Sequence, residues 1–185
     1  MLAFICLLYL VTNYCGVGYT NDSYSYVRIA EQITDQGFLF TDGFNTKPPI
    51  YPLVISWIDT ERIVAYNLIL LLVSASTLYY LSYEISSKIL QILYLAFVVF
   101  STPMYLVHSF AWTEPTFITI LLFAFLTLHQ YQKINKVYLL VLGISLLMTL
   151  PFIRFAGIFI LIPTFLILLL NQPLRIRRFL WGVIG

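Results

Sequence analysis

Asp22, Lys47, Glu114 and Arg154 are the side chains of this sequence with which chemistry could be done. Asp22 lies in Asn-Asp-Ser-Tyr-Ser-Tyr at 21–26, and Lys47 opens Lys-Pro-Pro-Ile-Tyr-Pro at 47–52. Glu114 sits in Trp112-Thr113-Glu114-Pro115, and Arg154 precedes Phe155-Ala156-Gly157. A carboxylate such as Asp22 can take a proton from an attacking nucleophile or hold a divalent cation. Lys47 is fixed beside two prolines that turn the chain back toward apolar sequence, and a lysine held there is a point-charge partner for a phosphate. Arg154 could clamp a phosphate, pair with Glu114, or snorkel at a membrane boundary. Each residue has a plainer reading too. Asp22 could cap a helix, a role worth about 0.5–2 kcal/mol. Lys47 could be a solvated loop residue. Glu114 could complement a helix dipole, with Thr113 as cap and Pro115 in the first turn.

The elements that must position these groups are apolar. The chain is 61% hydrophobic and 10% charged, with mean hydropathy +0.90. A soluble domain averages about 25% charged residues. The composition therefore predicts an all-α polytopic transmembrane helical bundle, residues 1–185 forming one transmembrane domain. Spans are expected at 1–17, 62–82, 87–107, 114–131, 137–151 and 155–170, with Pro103 kinking the third near its end. Pro151 and Arg154 separate the last two.

Between the first two spans lies a polar loop, 19–61, holding six of the eight acidic residues: Asp22, Glu31, Asp35, Asp42, Asp59 and Glu61. Asn21–Ser23 offers caps for an amphipathic helix over Tyr24–Gln36, with Tyr26, Ile29, Ala30 and Ile33 on one side and Arg28, Glu31, Gln32 and Asp35 on the other. Such a helix lies in the membrane interface, and Gly37 suits its C-cap. Tyr26 joins Lys47 and Arg154 as a candidate substrate-binding residue. Residues 38–46 read as irregular, and Ile50–Ile58 as a short helix.

Placing this loop outside leaves Lys88, Lys133, Lys136, Arg175, Arg177 and Arg178 inside with one acid, Glu84. Arg28, Lys47, Arg62 and Arg154 fall outside with the seven other acids. In this topology Asp22, Glu114 and Arg154 come to one face, where ionisable groups are costly unless paired or facing a wet cavity. His108 and His129 fall on opposite sides, which argues against a shared metal site. Cys6 and Cys15, nine residues apart, would point to opposite sides of one helix. A net charge of +2 without a basic stripe implies no nucleic-acid footprint. No Walker loop, G-x-S-x-G or H-E-x-x-H pattern occurs. The match of Asn21-Asp22-Ser23 to a glycosylation acceptor is of a kind common by chance. The first span lacks flanking charge, and an apolar run opens at Phe179, so further sequence is expected at both ends.

Asp22 before a Tyr-rich helix, then Gly37, then Lys47-Pro48-Pro49-Ile50-Tyr51-Pro52, resembles the first outer loop of GT-C glycosyltransferases. The branch it looks most like contains protein O-mannosyltransferases and lipid A aminoarabinose transferases. Trp112-Thr113-Glu114-Pro115 and Arg154-Phe155-Ala156-Gly157, each opening a span, agree in order. The resemblance implies transfer of a sugar from a polyprenyl-phosphate donor to an acceptor on the outer face of a bacterial inner membrane. It implies that Asp22 is the first-loop catalytic aspartate, Lys47 the lysine near the donor phosphate, and Glu114 the second acid. Many members carry two adjacent acids where this chain has Asn21-Asp22, and members are much longer. A divalent metal ion held by Asp22 and Glu114 is the one cofactor left open. The alternative is a non-catalytic protein that binds or translocates the lipid carrier, needing Lys47 and Arg154 but not Asp22.

Overall fold

The computed structural model describes residues 1–37 and 47–171. The expected irregular stretch 38–46 with Asp42, the basic residues Arg175, Arg177 and Arg178, and the apolar run from Phe179 lie outside the described residues. Within them the regular structure is helical: α1 Leu2–Thr12, α2 Asn21–Gln36, α3 Ile50–Ile58, α4 Ile63–Ser82, α5 Lys88–Phe100, α6 Thr102–His108, α7 Glu114–Ile134, α8 Val137–Ile153 and α9 Gly157–Asn171. A 3₁₀ turn, Thr60–Arg62, leads into α4. Among the described residues three stretches are long and apolar enough to cross a membrane: Thr60–Ser82, Lys88–His108 and Glu114–Ile134. Their length and composition fit a membrane protein.

α4 and α7 run parallel and are joined by polar pairs along their length. Tyr66 and Thr116 hydroxyls lie 2.8 Å apart, as do those of Ser74 and Thr119. Farther along, Gln130 donates to the Tyr80 hydroxyl at 2.8 Å, and Lys133 pairs with Glu84. Hydroxyl pairs of this kind join helices where no water competes. α8 returns antiparallel to α7 after a left-handed turn at Asn135. The two helices touch at Gly143, where an added Cβ would come within 2.7 Å of Leu128. α1 packs antiparallel on α4 through Ile5, Tyr9, Leu71 and Ala75. The buried Tyr9 hydroxyl donates to the carbonyls of Val64 and His108.

Several boundaries differ from the expectation for local reasons. α1 stops at Thr12, five residues short of the expected span end, because Asn13 bonds back to the Tyr9 carbonyl and Gly16 turns the chain at φ +94°. Cys15 is therefore past the helix, so Cys6 and Cys15 do not share one helix as expected. The kink near Pro103 is a full break: α5 ends at Phe100, Ser101 is extended, and Pro103 sits in the first turn of α6. Pro103 has no N–H to give the Val99 carbonyl, and the Tyr105 hydroxyl donates to that carbonyl instead, at 2.9 Å. α8 runs through Pro151 to Ile153 before Arg154 turns extended.

The amphipathic α2 forms as its periodicity predicts. Tyr26, Ile29, Ala30 and Ile33 are buried, and Arg28, Glu31 and Asp35 are exposed. Tyr26 and Ala30 pack with Tyr51 and Ile55 of α3, with Ile63 of α4, and with Ala111. Gly37 ends the helix at φ +85°. α2 and α3 thus sit at the end of the bundle that carries the start of α4, the start of α7 and the close of α8.

Candidate functional site

The site begins with a short backbone contact. Gly18 N–H donates to the Ser109 carbonyl at 2.8 Å, and Ala111 N–H donates to Gly18 at 3.0 Å. An added Cβ on Gly18 would come within 2.5 Å of the Phe110 ring, so this approach needs glycine. The contact sets where the extended chain stops and α2 starts. Thr20 becomes the N-cap, in a reciprocal capping box with Ser23. The Thr20 hydroxyl also accepts the Trp112 indole N–H at 2.9 Å. Trp112 stacks on Phe110, ring centroids 4.6 Å apart.

This placement corrects the plainer reading of Asp22. The aspartate lies inside the first turn of α2 and does not cap it, so its carboxylate is free to point elsewhere. Its Oδ1 accepts a hydrogen bond from Lys47 Nζ at 2.6 Å. The Lys47 ammonium also lies 5.2 Å from the centre of the Tyr26 ring, a cation–π distance. Tyr26 is itself held edge-on by the buried Tyr51, centroids 5.3 Å apart at 89°. The hydrogen bond to Asp22 holds Lys47's proton more tightly than usual and raises its pKa. Burial raises the Tyr26 hydroxyl, and the Lys47 charge opposes that shift.

Across the same space, Arg154 pairs with Glu114, bringing the close of α8 to the start of α7. Thr113 stands at the N-cap position but makes no capping bond with its side chain. Its hydroxyl donates to Glu114 Oε2 at 3.2 Å instead. Of the readings open for Arg154, the pairing with Glu114 is the one the structure contains.

All five residues singled out in the sequence line one cavity of about 660 Å³: Asp22, Tyr26, Lys47, Glu114 and Arg154. Thr20, Asn21, Pro48, Trp112, Thr113, Phe155 and Ala156 complete its wall. Thr20 was not among the candidates, and Trp112 entered only as part of the Trp112–Pro115 motif, with no role of its own. The available signal was the indole N–H of Trp112, a donor that must find an acceptor when covered. His108 and His129 lie at opposite ends of the bundle, His108 beside Tyr9 and Asn67, His129 beside Glu84.

The donor set does not suit a divalent cation. Calcium takes six to eight oxygen ligands and magnesium a near-ideal octahedron. Among the described residues Asp22 and Glu114 are the two carboxylates on the cavity wall, and each already faces a cation of the chain. Among the described residues no three His, Cys, Asp or Glu side chains gather as a metal site would require. Its described residues offer two cations, two carboxylates and three aromatic rings, which suits an anionic group attached to a larger polar body.

Comparison of the chain with protein-family models, with curated proteins and with solved structures finds no match.

Proposed function

We propose that the protein is an integral-membrane glycosyltransferase that moves a sugar from a polyprenyl-phosphate donor to an acceptor at the outer face of a bacterial inner membrane. One observation carries the reading. Residues chosen from the sequence for phosphate and acid–base chemistry, spread from position 22 to position 154, line a single cavity. The resemblance of the Asp22-to-Pro52 stretch to GT-C enzymes supports it. Orientation rests on charge: Lys88, Lys133 and Lys136 gather with Glu84 at the end away from the cavity.

In this reading the donor phosphate sits on Lys47 with Arg154, and the lipid tail lies among the apolar helices. The acceptor attacks the anomeric carbon. The bond from that carbon to the phosphate oxygen breaks, the electron pair leaves with the phosphate, and the acceptor's proton passes to Asp22. Glu114 positions the acceptor and Arg154. Positioning and charge neutralisation supply most of the rate, because phosphate is already a tolerable leaving group.

The test is an assay of the full-length protein in lipid with a panel of labelled polyprenyl-phosphate sugars. Asp22→Asn is expected to lower transfer by about 10²–10⁴-fold with folded protein retained. Near-normal turnover would remove Asp22 from its role. A carrier-binding protein without catalysis would behave differently: Lys47→Ala would abolish function and Asp22→Ala would be silent.

A further inference from the structure

Both cations of the cavity are occupied by carboxylates of the chain itself, and the two members of the Asp22–Lys47 pair are held very differently. The Lys47 side chain is 22% exposed and that of Asp22 is 71% exposed. Lys47 is gripped on a second side by the Tyr26 ring at 5.2 Å, and Tyr26 is braced by Tyr51. Asp22 has no such second hold among the described residues. Thr20 performs the capping that would otherwise have tied the aspartate to its own helix. The cation is built into the wall, and the carboxylate hangs from one bond on an exposed side chain. An exposed ion pair of this kind contributes at most about 1 kcal/mol. A phosphate brings more charge and more acceptor oxygens than one carboxylate, so it competes well for the ammonium.

We propose that Asp22 is a displaceable placeholder on Lys47: a phosphate group entering the cavity takes over the ammonium and releases the carboxylate. The inference rests on the reading of the cavity as a phosphate site and adds an order of events to it. With the cavity empty of donor, Asp22 Oδ1 accepts from Lys47. Once a phosphate is seated, that oxygen is free to accept the acceptor's proton. Donor binding therefore precedes and enables acceptor activation, and the site is quiet without its donor. No bond other than hydrogen bonds changes in the exchange.

The test measures anion binding apart from turnover. Full-length protein in phosphatidylcholine nanodiscs is titrated at fixed ionic strength with inorganic phosphate and, separately, with a short-chain prenyl monophosphate. Asp22→Asn is expected to bind prenyl monophosphate about two- to fivefold tighter than wild type. The double variant Asp22→Asn/Lys47→Met should bind no tighter than Lys47→Met alone. Glu31→Gln removes the same charge from the same helix, on a residue outside the cavity wall, and should leave affinity unchanged. An equal gain with inorganic phosphate assigns recognition to the phosphate group itself, and a gain confined to the prenyl compound assigns it to a lipid-borne phosphate; both support the exchange. It is overturned if Asp22→Asn binds the anion unchanged or more weakly, if Glu31→Gln tightens binding as much, or if binding does not depend on Lys47. Loss of transfer in Asp22→Asn with unchanged anion affinity would end the placeholder and leave the transferase. Tighter anion binding with no transfer from any labelled donor would do the reverse.

Discussion

Among the described residues the bundle carries ion pairs at both ends, and at one of them two pairs line a shared cavity. Away from the cavity, Glu84 pairs with Lys133 and lies 3.5 Å from His129. That group joins the last turn of α7 to the residue region just past α4, beside the Gln130–Tyr80 bond. At the cavity end, Asp22–Lys47 and Glu114–Arg154 join four different stretches of chain and face a common space of about 660 Å³. The chemistry of the pairs is the same in the two regions. What differs is the remaining surroundings: aromatic rings, an indole anchored by a cap, and room for a ligand. An ion pair by itself says little about function, and two that share a cavity wall say a good deal.

The sharpest way to break this contrast is to neutralise one acid at each end. Glu114→Gln is expected to lower transfer by about 10²-fold through misplacement of Arg154 and the acceptor. Glu84→Gln should leave transfer within about twofold of wild type, since its pair is exposed and remote. Equal losses in the same transfer assay would erase the distinction between the two ends.

A second, smaller contrast uses the helix caps. Thr20→Ala removes the cap of α2 and the acceptor of the Trp112 indole together. The expected destabilisation is about 2–3 kcal/mol, a cap plus a stranded donor. Ser87→Ala at the other end removes only a long capping contact, 3.5 Å to the Leu90 N–H, and should cost about 0.5 kcal/mol. Thermal or denaturant unfolding of the two variants in the same detergent compares them directly.

The smallest effect lies in pH. Lys133 holds the Glu84 carboxyl below its ordinary range. A depressed carboxylate contributes stability above its unfolded pKa of about 4.3 and loses it as pH falls through the lower folded value. The midpoint difference between wild type and Glu84→Gln should therefore vanish only in acid, below about pH 4. Lys47 is shifted the other way, upward, chiefly by its bond to Asp22. Its contribution is complete below about pH 10.4 and fades as pH rises through the folded value. The midpoint difference between wild type and Lys47→Met should persist through neutral pH and shrink only in strong base. Melting curves across pH check both directions, and a Lys47→Met difference already lost at pH 7 would contradict the pair.

The helices were legible wherever the pattern was strong. The period of Tyr26, Ile29, Ala30 and Ile33 located the buried face of α2, and Pro-Pro before Ile50 located α3. Glu114 and Arg154 could be placed at one end by counting two apolar stretches around a turn at Asn135. Which of Thr20 or Asp22 caps α2 was not legible. Both are good capping residues, and the choice was made by the contact of Gly18 with Ser109 and Ala111, some ninety positions away in sequence. The break at Ser101 was foreseen only as a kink, because the Val99 carbonyl left without an N–H by Pro103 is served by the Tyr105 hydroxyl, a contact the apolar pattern of the stretch does not reveal.

The sequence by itself determined that this is a helical, strongly apolar chain with an acidic, amphipathic segment near its start, because composition and periodicity act locally and need no partner. Only the tertiary structure decided that Asp22 belongs to Lys47, that Glu114 belongs to Arg154, and that the four share a wall with Trp112. Those are pairings between residues 25 and 40 positions apart. Charge at long separation has no preferred partner until packed helices bring particular side chains within reach.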